Sequence, residues 1–259
     1  MCQRKPRGTR APEPEEIVKL KVVASTTVLA ELARQIGGEY VEVDSLLGAN
    51  EPPPWRRTGP LEGRLMTADV LVVLGLGYEA VLAPSIQRAL DAGVALCSLE
   101  GAFPQEKLLA QAAGAEGIDP HVWMNPELWS HAVGTLVESI SKLVPAHAQK
   151  IESNGFARRF DLRELLTVIQ RRVSLIPAGE RSLVTSNAGL RYLGEATALS
   201  VTLGPTTRRA AELKELESLQ LDALQAATER IVVRAEVHDL STLDGLIKYA
   251  VDLVVLATS

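Results

Sequence analysis

One long helical segment divides this sequence into two stretches in which short β-branched runs alternate with amphipathic segments. Alternation of this kind is typical of βα units that build a parallel sheet. The long segment covers residues 146–176, where apolar residues recur close to the helical period, and Pro177-Ala178-Gly179 ends it. A helix of about 25 to 30 residues spans roughly 40 Å, which is longer than one small domain requires. The pattern predicts an α/β protein with two βα lobes joined by one long helix.

The predicted elements follow this plan on both sides of the helix. In the first stretch we expect strands at residues 18–24, 40–47, 70–74 and 94–99, and helices at 28–36 and 126–143. Thr26 or Thr27 can cap the first helix, and Gly37-Gly38 ends it. In the second stretch we expect strands at 182–185, 199–203, 230–233 and 252–256, and a helix at 208–228.

Four parts of the chain follow from these elements. Residues 1–17 form a flexible tether, 18–145 the N-terminal βα lobe, 146–177 the linking helix and 178–259 a truncated C-terminal βα lobe. Two open parallel sheets that face each other form a cleft at their strand ends, where ligands of such folds bind. We therefore expect the ligand cleft between the lobes.

Charge and hydropathy argue against two classes of function. The formal net charge is -5 and no basic stripe interrupts it, so nothing favours binding to nucleic acid. The longest apolar runs, such as residues 69–75, fall far below the roughly 18 residues that a membrane span needs. We expect a soluble body that reaches a membrane by a lipid anchor only.

The two cysteines cannot form a disulfide framework, and they lie in different contexts. Cys97 lies in an apolar run that predicts a buried strand, so we expect it to be a small core residue. Cys2 begins a polar tail that resembles the lipidated cysteine and flexible tether of mature bacterial lipoproteins. Because the sequence shows no signal peptide, a cytoplasmic protein with a disordered start is the alternative.

Three passages carry a family resemblance. They are residues 21–33 followed by Gly48-Ala49-Asn50-Glu51, residues 65–79, and Asp119-Pro120-His121-Val122-Trp123-Met124-Asn125-Pro126. The third is fairly specific by itself, and the others gain weight from their order and spacing. Together they resemble the zinc- and manganese-binding proteins of bacterial ABC importers, the cluster A-I or TroA-like family, from about residue 18 to the last residue.

The resemblance implies a solute-binding protein that is not an enzyme. Such a protein is extracytoplasmic, captures a divalent cation between two βα lobes, and delivers it to an ABC permease in the membrane. Family members hold the ion with imidazole and carboxylate ligands, one pair from each lobe, and this set suits zinc or manganese. We therefore expect a monomer that is anchored through Cys2, in the periplasm or at the outer face of the cytoplasmic membrane.

Most of the family's four ligand positions are altered in this chain. Pro54 stands about where the first histidine belongs, and the second histidine survives as His121. The third position, a histidine or glutamate in relatives, is Asn187, and the fourth, an aspartate, is Ala257. Because a proline nitrogen cannot coordinate and an amide oxygen is a weak donor, His121 remains as a relic or weak ligand. One imidazole binds zinc with roughly millimolar affinity, far more weakly than a closed site of three or four ligands.

Other polar residues lie near these positions by motif. The groups that could substitute for the lost ligands are Glu51, Asp119, Glu236, His238 and Asp239. Arg234 stands where relatives carry glutamate, and added positive charge near the cleft opposes capture of a cation and favours an anion or a salt bridge. The prediction is therefore a degenerate metal site, in a relative whose cleft takes another small ligand or a protein partner. A functional zinc or manganese receptor built around His121 is the alternative.

Purely structural roles compete with these assignments. His121 can instead hydrogen-bond at a strand end, and Trp123 can pack beneath the loop that holds it. His131 and His147 lie in polar helical contexts and are expected to be solvated.

An enzyme is the least favoured class of function, because the sequence offers no nucleophile with a base, no phosphate loop and no carboxylate pair. Gly75-Leu76-Gly77 lacks the third glycine and the acidic partner of a nucleotide-binding loop.

Overall fold

The computed structural model describes residues 18–47, 59–112, 116–185 and 189–203. Within them the chain is an α/β protein with two parallel sheets and one long helix, as predicted. The strands are β1 (Leu20–Ala24), β2 (Val41–Ser45), β3 (Val70–Val73), β4 (Ala95–Ser98), β5 (Ser182–Thr185) and β6 (Ser200–Leu203). The helices are α1 (Thr27–Gly37), α2 (Gly59–Leu65), α3 (Ala83–Asp91), α4 (Pro126–Leu143), α5 (Ala148–Ser174) and α6 (Leu190–Thr197).

The larger sheet has the strand order β2-β1-β3-β4, and all neighbouring strands are parallel. Val22 of β1 lies opposite Val43 on one side and Val70 on the other. The central strands are apolar because cores cover both faces of the sheet: every residue of β3 is buried, and in β1 only Lys21 is exposed. The hydrophobic run that predicted a strand at 70–74 therefore marks the middle of the sheet.

Two apolar cores cover the faces of this sheet. The larger core joins the sheet to α1, α4 and α5 through fully buried residues such as Leu32, Leu136 and Leu162. The smaller core lies under α2 and α3, where Leu65 and Ala89 pack against the other face. Since both faces are covered, the open positions of the sheet lie at its strand ends, where the loops that carry polar residues meet.

Capping residues set the bounds of α1. Thr26 lies in extended backbone before the helix, and its hydroxyl accepts a hydrogen bond from the backbone N–H of Leu29 at 3.2 Å. Gly38 follows the last helical residue with a φ of 57°, a conformation that glycine adopts without a steric penalty. The two signals named in the sequence therefore act as the start and the stop of this helix.

The long helix α5 packs closely against α4. Gly155 of α5 is buried, and a Cβ at this position would overlap a methyl group of Val137 on α4. Glycine here lets the two backbones approach more closely than any other residue would allow. The smaller sheet follows α5, with β5 and β6 parallel and Ser182 opposite Ser200, and α6 connects the two strands.

Several predictions made from the sequence are confirmed within these residues. The predicted bounds of α4 and β5 agree with the structure, and Cys97 is a buried residue of β4 with 2% exposure. The predicted strands at 230–233 and 252–256, the helix at 208–228 and the tether at 1–17 lie outside the described residues, and the division into four parts stays a prediction. No helix among the described residues is long and apolar enough to cross a membrane.

Candidate functional site

His121 lies in a short segment between the first lobe's sheet and α4. It immediately precedes a 3-10 turn over Val122–Met124, and Asn125 then caps α4 by accepting hydrogen bonds from the N–H groups of Glu127 and Leu128. Pro126 occupies the first helical position, where a missing N–H costs nothing. The motif around residues 119–126 thus folds as an anchored turn that holds His121 five residues before the start of α4.

Asp119 orients the imidazole of His121. Its Oδ1 lies 2.6 Å from Nδ1 of His121 and accepts a second hydrogen bond from the His121 backbone N–H at 3.1 Å. A carboxylate only accepts hydrogen bonds, so Nδ1 is the donor of this pair and Nε2 is the ring nitrogen left to bind a ligand. The His121 side chain is 38% exposed and that of Asp119 only 3%. A carboxylate behind an imidazole whose other nitrogen forms no hydrogen bond with the described residues is the arrangement of a metal-binding histidine.

The second oxygen of Asp119 differs from the first. Oδ2 is buried and accepts no hydrogen bond from the described residues. Nη1 of Arg191 lies 3.7 Å away, and the same guanidinium nitrogen donates to the backbone carbonyl of Ala110 at 2.8 Å. A cation from α6 therefore stands beside the carboxylate that orients His121, and it reduces the attraction of this carboxylate for a metal ion.

Aromatic rings support the exposed side of this segment. The ring centroid of Trp123 lies 5.2 Å from that of His121 and 6.1 Å from that of Tyr78, with the Tyr78 ring edge-on. Burial raises the pKa of Tyr78, and the neighbouring Glu79 carboxylate raises it further. The prediction that Trp123 packs against the loop of His121 is confirmed by these contacts.

A buried carboxylate that sequence reasoning did not single out holds the turn next to Tyr78. Glu79 is 6% exposed and accepts hydrogen bonds from Ser25 Oγ at 2.6 Å and from the N–H groups of Leu74 and Gly75 at 2.8 and 3.0 Å. Burial raises the pKa of Glu79, and these hydrogen bonds oppose the rise. Gly75, Leu76 and Gly77 have φ values of 77°, 55° and 77°, so the Gly-Leu-Gly sequence serves to wrap the turn around the carboxylate.

The first turn of α6 closes the site from the other side. Tyr192 is fully buried, accepts a hydrogen bond from the N–H of Leu109 at 3.0 Å and donates to the carbonyl of Asp119 at 2.8 Å. Burial raises the pKa of this phenol. Gly189 packs on the imidazole of His121, since a Cβ there would lie 3.0 Å from Cγ of that ring. The sequence carried one signal for these contacts, an amphipathic tyrosine in an apolar segment after a strand.

The remaining predicted site residues divide into two groups. The following lie outside the described residues: Cys2, Glu51, Pro54, Asn187, Arg234, Glu236, His238 and Ala257. Among the described histidines, His131 is exposed on α4, as predicted. His147 corrects a prediction, because it is only partly exposed and its ring stacks on Tyr40 with the centroids 4.0 Å apart. Within the described part of the chain, no three His, Cys, Asp or Glu side chains lie close enough to hold a metal ion together.

Comparison with known proteins identifies a family that this chain matches. Residues 22–239 match the family described as ZnuA, zinc-uptake complex component A, periplasmic. The manganese-binding lipoprotein MntA of Bacillus subtilis is 32% identical over 177 residues, which cover 68% of this chain and 57% of MntA. The manganese ABC transporter substrate-binding lipoprotein PsaA of Streptococcus pneumoniae is 24% identical, over 69% of this chain and 59% of PsaA. The chain thus spans less than two thirds of the length of these relatives.

Solved structures agree on the fold. The periplasmic zinc-binding protein TroA of Treponema pallidum superposes with a TM-score of 0.72 at 20% identity, covering 93% of this chain and 99% of TroA. The predicted resemblance is therefore confirmed at the level of family and fold, and the relatives named here bind zinc or manganese. The chain belongs to the ZnuA/TroA-like family, one member of which, PsaA, is a substrate-binding lipoprotein of a manganese ABC transporter.

Proposed function

We propose that this chain is the extracytoplasmic solute-binding protein of a metal-type ABC importer, in a form whose metal site is degenerate. The family match supports the solute-binding role, and the ligand positions support the loss of tight binding. By sequence, three of the four positions carry Pro54, Asn187 and Ala257, none of which is a strong donor for zinc or manganese. His121 is then the one family ligand that remains.

The observation that carries the proposal is the single oriented imidazole. His121 keeps the Asp119 hydrogen bond at 2.6 Å that prepares Nε2 for a metal ion. Within the described residues it is not joined by two further donors, and Arg191 adds a positive charge 3.7 Å from the Asp119 carboxylate. One imidazole beside a cation has weak affinity for a divalent metal ion, because each missing ligand removes one bond to the metal and the cation repels it.

The alternative is a functional zinc or manganese receptor with a rearranged site around His121. One observation favours it: Oδ2 of Asp119 is buried without a hydrogen bond from the described residues, so a small shift of Arg191 would free this oxygen for a cation. Glu51, Glu236 and His238 would have to supply further donors. In this alternative the chain still delivers its ion to a permease, with zinc or manganese as the cargo.

The expected setting follows from the same proposal. The partner is an ABC permease in the membrane, and the chain works as a monomer. A lipid on Cys2 would hold it in the periplasm or at the outer face of the cytoplasmic membrane, as the words lipoprotein and periplasmic in the relatives' names suggest. Radiolabelled palmitate incorporation that is lost in a Cys2→Ala variant tests this anchor.

Elemental analysis and thermal melting test the degenerate site. The purified protein should contain no stoichiometric zinc or manganese. Adding either metal at 100 μM should leave Tm unchanged, because this concentration is only about a tenth of the expected millimolar dissociation constant. For comparison, a ligand present at a hundred times its dissociation constant adds about 2.7 kcal/mol of stability. Bound metal that is lost in His121→Ala but kept in His131→Ala, which changes an exposed histidine of α4, would instead establish the rearranged receptor.

A further inference from the structure

The unit β5-α6-β6 contacts the His121 segment through three residues at the start of α6, Gly189, Arg191 and Tyr192. Gly189, immediately before α6, packs on the His121 ring. Arg191 donates to the carbonyl of Ala110 at 2.8 Å, and Tyr192 binds two backbone groups of the same segment. These contacts join residues that are 68 (189 − 121) to 83 positions apart in the sequence. They therefore connect the smaller sheet directly to the segment that carries the surviving family ligand.

Tyr192 has the central place in these contacts. Its hydroxyl accepts a hydrogen bond from the N–H of Leu109 and donates one to the carbonyl of Asp119. It therefore bridges the two ends of the loop that runs from residue 109 to residue 119. The N–H of Asp119 in turn donates to the carbonyl of Leu109 at 2.8 Å. Both hydrogen-bonding functions of a fully buried phenol are thus satisfied by backbone groups whose positions it fixes.

The fixed backbone of Asp119 controls the imidazole. Only one residue separates Asp119 from His121, and the Asp119 carboxylate binds both the backbone N–H and Nδ1 of that histidine. A shift of the Asp119 backbone therefore moves the acceptor that sets the orientation of the ring. On the opposite side, the close approach of Gly189 leaves the ring little room to turn, since a Cβ would already be tight against it.

We propose that Tyr192 is a positioning residue whose hydrogen bonds hold the Asp119–His121 pair against α6. The position of the unit β5-α6-β6 then sets the orientation of the His121 imidazole. The inference rests on the proposed function only in taking His121 as a residue of the ligand cleft. It gives the fold a direct physical connection between the position of α6 and the geometry of the candidate ligand His121.

A Tyr192→Phe variant tests this positioning role, because it keeps the buried ring and removes both hydrogen bonds of the hydroxyl. The first readout is amide hydrogen exchange by NMR, in which the Leu109 N–H should exchange about five- to tenfold faster when its acceptor is lost. The second is the pair of imidazole nitrogen shifts of His121, which report the proton on Nδ1. These shifts should move toward the values of a mixture of tautomers.

Matched variants separate positioning from general destabilisation. Tyr40→Phe removes a hydroxyl that forms no hydrogen bond with the described residues, and it should change neither readout. Arg191→Met removes the bond to Ala110 and the positive charge 3.7 Å from Oδ2 of Asp119, and it leaves the phenol in place. Because the hydrogen bonds of Tyr192 to Leu109 and Asp119 remain, the exchange of the Leu109 N–H should change less than in Tyr192→Phe. Unchanged His121 shifts in Tyr192→Phe, or equally faster exchange throughout the protein, would overturn the proposal. No metal is added in these experiments, so tight zinc binding would contradict the proposed function and leave this inference standing.

Discussion

Replacing Glu79 by alanine should destabilise the protein strongly, because three donors would lose their acceptor. Ser25 Oγ, Leu74 N and Gly75 N lie 2.6, 2.8 and 3.0 Å from the carboxylate oxygens. A buried donor that is left unsatisfied costs about 1–3 kcal/mol. The Ser25 hydroxyl can rotate toward another acceptor, whereas the two backbone N–H groups cannot. The two backbone donors therefore suggest a loss of about 3 kcal/mol, after allowance for the burial penalty that the carboxylate itself no longer incurs.

Urea unfolding followed by circular dichroism measures this loss as a change in the free energy of unfolding. Glu152→Ala is the matched control, since Glu152 is an exposed residue of α5 and its replacement should change stability by no more than about 0.5 kcal/mol. A loss below about 1 kcal/mol in Glu79→Ala would refute the reasoning, because it would mean that the backbone donors find other acceptors.

The same residue should make stability depend on pH. Burial raises the pKa of Glu79 in the folded state above its ordinary value of 4.5, so between the two values the folded state binds more protons than the unfolded state. The contribution of this carboxyl to stability is thus fully present below pH 4.5 and is lost as the pH rises through the folded-state pKa. Relative to a Glu79→Gln variant, which cannot titrate, the wild type should lose stability over that window and then level off. If the free energy of unfolding of the wild type instead rose relative to that of Glu79→Gln as the pH rises, the predicted direction of the pH dependence would be wrong.

Two further changes test the packing. Gly155→Ala should lower the free energy of unfolding by about 1–3 kcal/mol, because its methyl group would overlap Val137. Gly134→Ala, on the open face of α4, should instead raise it by about 0.5–1 kcal/mol, and equal effects of the two would contradict the close approach of the helices. In a Cys2→Ala background, Cys97 should react with a thiol reagent far more slowly in the folded protein than in urea, because Cys97 is buried and burial raises the pKa of its thiol. Fast labelling of the folded protein would contradict the place of Cys97 in the core.

The fold was predictable where a strong local signal coincides with the final packing. The bounds of α4 follow from Asn125-Pro126 at its start and a sustained helical period, and β3 follows from four consecutive apolar residues. The short helices α2 and α3 were not singled out. The first contains glycine and proline, and the second has only nine residues, too few to show a clear period.

The site was predictable only in part, because its contacts depend on distant parts of the chain. The Asp119–His121 pair lies within one motif, so the sequence places the two residues together. The bond from Tyr192 to Asp119 spans 73 positions and depends on how α6 packs, which no local pattern encodes. Likewise, Glu79 ends a recognised motif, but its burial beside Ser25 follows from the pairing of β1 with β3.

The affinity for zinc tests the central claim most directly. We would measure it by competition with a chelating dye for the wild type and for a Pro54→His/Asn187→Glu/Ala257→Asp variant, which restores donors at the three altered positions. The account predicts a wild-type dissociation constant of roughly millimolar size and binding at least about a hundredfold tighter in the restored variant, because a closed site supplies three more bonds to the metal. Submicromolar binding by the unaltered chain, equal to that of the restored variant, would contradict it.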